Sequence, residues 1–266
     1  MGNMKDGCKR LCALFICLAI SAGNSPAEDS SLSPLHIKAD YRFTVDGLPF
    51  GQMQVEVQAA DGRYRIDSHI RSTYLARLFE RHESHATVSG NYTGRLEDGD
   101  RVFESAYDND DDPNRIRLAY QQGHLTSARI DPPDPPGKRP PVEPLLFDGS
   151  VDLLSFVLAA RQHLRDALAT HASAFQVKLF DGRRLMTIFW TVKGKTRIKV
   201  AGKPVDVIAC SLRREATGGF TPKELKRLAK GEPPLTVYFS DDQQLWPVLL
   251  RLDMWFGPVE ATRQPS

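Results

Sequence analysis

The chain has 266 residues, 41% of them hydrophobic, which is enough to bury a substantial core and argues against wholesale disorder. Its formal charge of +2 comes from the N-terminal segment, because residues 1–27 hold three of the 35 basic and one of the 33 acidic residues. The remainder is neutral, with no global field to hold nucleic acid.

That N-terminal segment reads as an export signal. Lys5, Lys9 and Arg10 precede an apolar run from Leu11 to Ile20, followed by small residues that permit cleavage after Gly23 or, as favoured here, after Ala27. The apolar run is too short for a stable transmembrane helix. Cys8, Cys12 and Cys17 leave with the signal, so Cys210 remains alone and no intrachain disulfide can form. Phe15-Ile16 before Cys17 are unlike the small residues of a lipoprotein cleavage site. Residues 28–36 are read as an N-terminal tail.

From Ile37 the pattern becomes period two. Ile37 to Val45, Phe50 to Val57 and Tyr64 to Ile70 are apolar on alternate residues, and Asp46-Gly47 and Asp61-Gly62 supply turns between them. Three such strands in line make an antiparallel meander with one apolar face. Leu75, Leu78 and Phe79 follow a one-turn helical spacing. Strand character returns from His82 to Tyr92, around Arg101 to Tyr107, and in a hairpin from Ile116 to Ile130. Residues 131–144, with prolines throughout, are neither helix nor ladder and are read as an extended spacer over the surface.

Ser150 is the expected cap of one long helix over residues 150–169, with Asp152 in its first turn and Leu153, Val157, Ala160, Leu164 and Leu168 forming an apolar stripe. Such a stripe packs against a sheet. The second half is strand-rich: Phe175 to Leu179, Leu185 to Val192, Thr196 to Val200 after a break at Gly194, Pro204 to Leu212, Leu235 to Phe239 and Leu245 to Phe256. Thr221-Pro222 start a short helix whose Lys223, Lys226, Arg227 and Lys230 make a basic face, solvated or open to an acidic lipid or partner.

The sequence carries no recognisable catalytic signature. His82 and His85 have the wrong spacing for a zinc-protease helix and point to opposite faces of a strand. Asp108 to Asp112 resembles the start of a calcium loop, but Pro113 stands where glycine is needed. Cys210 lies in an apolar strand and reads as a buried thiol. There is no nucleophile elbow, phosphate loop or dinucleotide fingerprint, and no cofactor or metal is implied. The remaining signal is apolar and aromatic. Tyr41, Phe43, Met53, Val55, Ile66, Tyr120 and Trp190 are candidate ligand-binding residues, read either as ordinary core or as the lining of an apolar groove in a curved sheet.

Taken in order, several segments resemble the family of exported bacterial proteins known as domain of unknown function 3108 (DUF3108). They are Asp40-Tyr-Arg-Phe-Thr-Val-Asp-Gly-Leu-Pro-Phe-Gly51, Tyr64-Arg-Ile-Asp-Ser68 with Thr73-Tyr-Leu-Ala-Arg-Leu-Phe79, Asp152-Leu-Leu-Ser-Phe156, and Thr236-Val-Tyr-Phe-Ser-Asp-Asp242 with Trp246-Pro-Val248. The resemblance implies a Gram-negative periplasmic location, a barrel-like antiparallel sheet, and analogy to half-open barrels that carry lipids or lipoproteins. It implies no catalytic residues.

The expected fold is mainly β (α+β): one domain over residues 37–261, with a strongly curved antiparallel sheet or half-open β-barrel wrapped around one long helix. The expected function is that of a non-enzymatic periplasmic protein of the cell envelope, binding a lipid, an acyl chain or an envelope partner. A protein-interaction scaffold and an unrecognised hydrolase are the alternatives.

Overall fold

The structure, a computed structural model, describes residues 34–73, 82–92, 94–109 and 113–265. The export segment, the helical spacing at 75–79 and most of the calcium-like loop lie outside them. Fourteen strands in chain order form one sheet among the described residues: β1 (Leu35–Val45), β2 (Leu48–Ala60), β3 (Arg63–Ser72), β4 (His82–Asn91), β5 (Arg101–Asn109), β6 (Asn114–Gln121), β7 (His124–Asp131), β8 (Ser150–Val151), β9 (Ala174–Phe180), β10 (Leu185–Val200), β11 (Lys203–Gly218), β12 (Leu235–Ser240), β13 (Pro247–Met254) and β14 (Gly257–Arg263). Two α-helices, α1 (Ser155–Thr170) and α2 (Pro222–Leu228), and two short 3₁₀ turns complete the described elements.

The spatial order is β7-β6-β5-β4-β3-β2-β1-β14-β13-β12-β11-β10-β9-β8. Two meanders are therefore joined where the first strand meets the last, with Tyr41 opposite Arg263 and Val45 opposite Val259. All pairs are antiparallel except the two-residue pairing of β8 with β9. The result is a nearly closed, barrel-like sheet. Alternation drives it: β1 buries every second residue from Leu35 to Phe43 and exposes those between.

Apart from shifts at strand ends, the chain departs from the sequence reading in four places. Ser150 is not the helix cap but part of β8, and the helix starts at Ser155. Asp152 does the capping, since its Oδ1 accepts from the backbone N–H groups of Leu154 (3.0 Å) and Ser155 (2.9 Å). Gly194 does not end a strand; at φ +104° it sits in a bulge within one continuous β10. Strand β14 follows Phe256, where the sequence reading had placed no further strand.

The fourth difference is the proline-rich segment, which clasps the β9–β10 turn and α2 instead of running as a spacer. Asp134 binds Lys138 (2.7 Å), Arg139 (2.9 Å) and Arg183. Arg139 reaches on to Glu224 in α2 (2.7 and 3.1 Å) and to the Gly219 carbonyl (2.9 Å). Beyond it, Phe147 meets Phe180 edge to face at 4.8 Å. Helix α2 carries a capping box, in which Thr221 accepts from the Glu224 N–H and Glu224 accepts from the Thr221 N–H.

This clasp has a predicted pH dependence. Burial opposes ionisation of the Glu224 carboxyl, but the hydrogen bonds from Arg139 and Thr221 and the Arg139 charge outweigh it and hold the pKa at about 2. A carboxyl depressed by folding stabilises above its unfolded value of 4.5, and the contribution is lost as pH falls towards 2. Chemical denaturation at pH 7 and pH 3 is therefore expected to show a smaller difference in Glu224→Gln than in the parent. An unchanged difference would remove Glu224 from the clasp.

Candidate functional site

Strand register sorts the inward residues of the first meander into rows across the sheet. One row runs Leu35, Ala59, Tyr64, Gly90, Arg101, Tyr120, and the next Ile37, Val57, Ile66, Val88, Phe103, Leu118. Every member of the second row is at most 2% exposed. The third row is Ala39, Val55, Ser68, Ala86, Ser105, Ile116, and the fourth Tyr41, Met53, Ile70, Ser84, Tyr107, Asn114. In these two rows Val55, Ala86, Ile116, Met53 and Ile70 become partly exposed. On β2 to β6 the inner face is thus sealed at one end and partly exposed towards the other, while Tyr41 and Phe43 of β1 stay buried.

Helix α1 lies at the sealed end, where it touches connections from both meanders. Gln162 donates to the Gly94 carbonyl (2.8 Å) and accepts from the Leu96 N–H (3.2 Å), and Asp166 pairs with Arg95 (2.8 Å). Arg161 donates to the Gln243 and Gln244 carbonyls in the β12–β13 turn. These contacts explain why burial extends from Phe156 through Leu164 around most of the helix instead of following a single stripe.

A buried polar cluster fixes the start of α1. The Ser155 hydroxyl donates to Asp152 Oδ2 (2.6 Å) and sits 2.7 Å from the Tyr64 hydroxyl. Burial raises the Tyr64 pKa, so its O–H stays available to donate to Ser155. Arg101 Nε lies 3.4 Å from Asp152 Oδ2, both side chains being wholly buried. The Arg101 guanidinium donates to the Glu97 and Gly99 carbonyls (3.2 Å each) and to Ser150, and stacks 3.8 Å over the Tyr120 ring. Gly90 makes this approach feasible, since a Cβ there would lie 2.7 Å from that of Arg101. Ser155 is fully buried, and its bonds to Asp152 and Tyr64 clamp the start of the helix to the sheet.

Nearby, His163 Nε2 lies 2.5 Å from Glu97 Oε1 and Nδ1 lies 3.0 Å from Arg95, so both ring nitrogens are engaged. Burial raises the Glu97 pKa, yet the His163 hydrogen bond and the neighbouring charges reverse that and hold it low. Burial pushes the Cys210 thiol up to about 12, which suppresses thiolate chemistry at neutral pH. Among the described residues no group of three His, Cys, Asp or Glu side chains could hold a metal ion. None of the helices among them is long and apolar enough to cross a membrane.

The family model described as "Protein of unknown function (DUF3108)" matches residues 40–264. The chain belongs to the DUF3108 family. Among solved structures, the crystal structure of a beta-barrel-like protein of domain of unknown function DUF1849 from Brucella abortus is similar to it, with a TM-score of 0.54 at 10% identity. The match covers 88% of this chain and 97% of the other, and it establishes a shared fold alone. No curated protein matches the chain.

Within this DUF3108 chain the seven candidate ligand residues separate into two sets. Tyr41, Phe43, Ile66, Tyr120 and Trp190 are sealed in packing, each at most 4% exposed. Tyr41 donates to the Pro247 carbonyl (2.6 Å), Phe43 stacks on Phe50 (5.8 Å), and Trp190 stands between Phe175 (5.7 Å) and Phe239 (5.5 Å). Met53 and Val55 instead lie where the inner face opens. Ile70, Ala86 and Ile116 share that opening. Ile70 and Ile116 stood in apolar alternations legible in the sequence, but only register places them beside Met53.

Proposed function

We propose that this chain is a non-enzymatic protein of the Gram-negative periplasm, exported by its N-terminal segment, whose sheet curls around α1 to leave a blind trough for an apolar ligand such as a lipid acyl chain. The observation that carries this reading is the graded inner face. Packing is complete next to the helix, and Met53, Val55, Ile70, Ala86 and Ile116 form a partly exposed apolar lining farther along the same face. Such an apolar stripe suits an alkyl chain, which gains mainly from removal of surface from water, while Ser84, Ser105, Tyr107 and Asn114 in the same rows are left to meet a polar end.

Binding of a fluorescent fatty acid by the chain lacking residues 1–27 tests the proposal. Ile70→Glu, which places a charge in the mouth, is expected to weaken binding about tenfold or more. Gln54→Ala, on the outer face, is expected to leave it unchanged. Absence of probe binding, together with no lipid retained in native mass spectra of protein purified from its own host, would defeat the reading. A scaffold role gains some support from β7, an eight-residue strand at the end of the sheet with most side chains exposed; crosslinking in cells through β7 that captures no envelope protein would count against it.

A further inference from the structure

The end of the barrel away from α1 carries an apolar projection that packing does not explain. In the β13–β14 turn Trp255 is 91% and Phe256 38% exposed, their rings edge to face at 5.3 Å. Just after the adjoining β1–β2 turn, Leu48 at the start of β2 is 73% exposed. The two turns are held together: the Asp46 N–H donates to the Pro258 carbonyl at 2.8 Å, and Gly257 fits so closely that a Cβ there would lie 2.8 Å from the Asp46 side chain. Three large apolar side chains therefore stand on one convex tip.

Beside this tip, on the outer face, lies a cleft of about 870 Å³ formed where the end of the β10–β11 hairpin passes over β1, β12, β13 and β14. Gly47 lines it, so the cleft is continuous with the tip. Arg42, Lys199 and Arg251 bring three cations to its wall, against Glu260. Arg251 already pairs with Glu260 (3.0 Å) and Asp253 (2.9 Å), whereas Arg42 and Lys199 form no ion pair with another described residue. The cleft thus has spare positive charge at the base of an aromatic tip.

We propose that this end of the molecule docks on a phospholipid bilayer, with Trp255, Phe256 and Leu48 entering the boundary between headgroups and acyl chains and the Arg42–Lys199 cleft receiving lipid phosphate. A tryptophan has its apolar body and indole N–H suited to that boundary. A protein hot spot, by contrast, lies at the centre of a ring of contacts that exclude water, while this tip projects from the end of the barrel and is flanked by a cleft for anions. The docking residues are distinct from those of the trough. The trough reading gains from them only a purpose, because its open end faces the same way as the tip.

The chain from Glu28 onward keeps every described residue and removes the apolar N-terminal run from the measurement. Of its three tryptophans, Trp190 and Trp246 are 2% exposed, so a solvent-sensitive change in emission reports Trp255. Vesicles of phosphatidylethanolamine and phosphatidylglycerol are expected to shift the emission to shorter wavelength and to protect it from acrylamide. Trp255→Ser and Leu48→Ser should each weaken vesicle co-sedimentation by about tenfold or more in affinity. Arg42→Gln with Lys199→Gln should weaken it about fivefold per charge at low salt. Unchanged emission and quenching with vesicles would overturn the proposal. So would the same shift on concentrating lipid-free protein, which marks a second copy as the occupant, or a full response to inorganic phosphate alone. Loss of vesicle binding in Trp255→Ser with fatty-acid binding intact separates this surface from the trough, and Ile70→Glu is expected to give the converse.

Discussion

Replacing Asp152 by alanine is expected to cost about 3–5 kcal/mol of stability, the range for removing one partner of a buried ion pair. Arg101 is wholly buried beside it, and its remaining contacts are carbonyl oxygens and the Tyr120 ring, which solvate the guanidinium without neutralising it. The same carboxylate caps α1 through Leu154 and Ser155 and receives the Ser155 hydroxyl, so the variant also loses a cap worth about 1 kcal/mol. Urea denaturation measures the total. Arg101→Met in the Asp152→Ala background removes the unpaired charge and is expected to restore more than half of the loss, leaving mainly the cap contribution. A loss below about 1 kcal/mol in the single variant would mean that the cluster does not fix the helix.

Trp190→Ala is expected to cost about 3–5 kcal/mol by leaving a cavity between Phe175 and Phe239 that the sheet cannot collapse to fill. Its ring lies in a continuous stack that begins with His163 on α1, 5.9 Å from Phe175. The variant should therefore loosen contact between helix and sheet as well. Met53→Ala removes a side chain of comparable apolar character from the partly exposed mouth, and there the expected loss is about 1 kcal/mol, because water already reaches the site. The contrast between the two distinguishes a packing residue from a lining residue, a distinction that composition cannot make. Equal losses would mean that the open end is as tightly packed as the closed one.

Both variants bear on what the chain discloses before it is folded. The alternation of Ile37 to Val45 or Tyr64 to Ile70 names a strand and its buried face, because side-chain direction in a strand depends only on position along it. The Thr221-Pro222 start of α2 was equally legible, its cap being satisfied within four residues. Ser150 misled because serine before an apolar run is an ordinary cap, and only the pairing of Ser150 with Lys178 draws it into a strand and passes the role to Asp152. The proline-rich segment reads as a spacer because its prolines report what the backbone cannot form, while one partner of Arg139, Glu224, lies 85 residues away.

The sequence by itself determined that the chain is built of many short antiparallel strands with one apolar face and a single long helix, since turns, caps and period-two burial are settled by near neighbours. Tertiary structure alone decided that β14 closes on β1, that Tyr41 finds Pro247 across 206 positions, and that Met53 lies at an opening while Ile66 does not. Register and closure depend on pairings between remote segments, and the free energy that selects them comes from surface buried only when the whole sheet has curled.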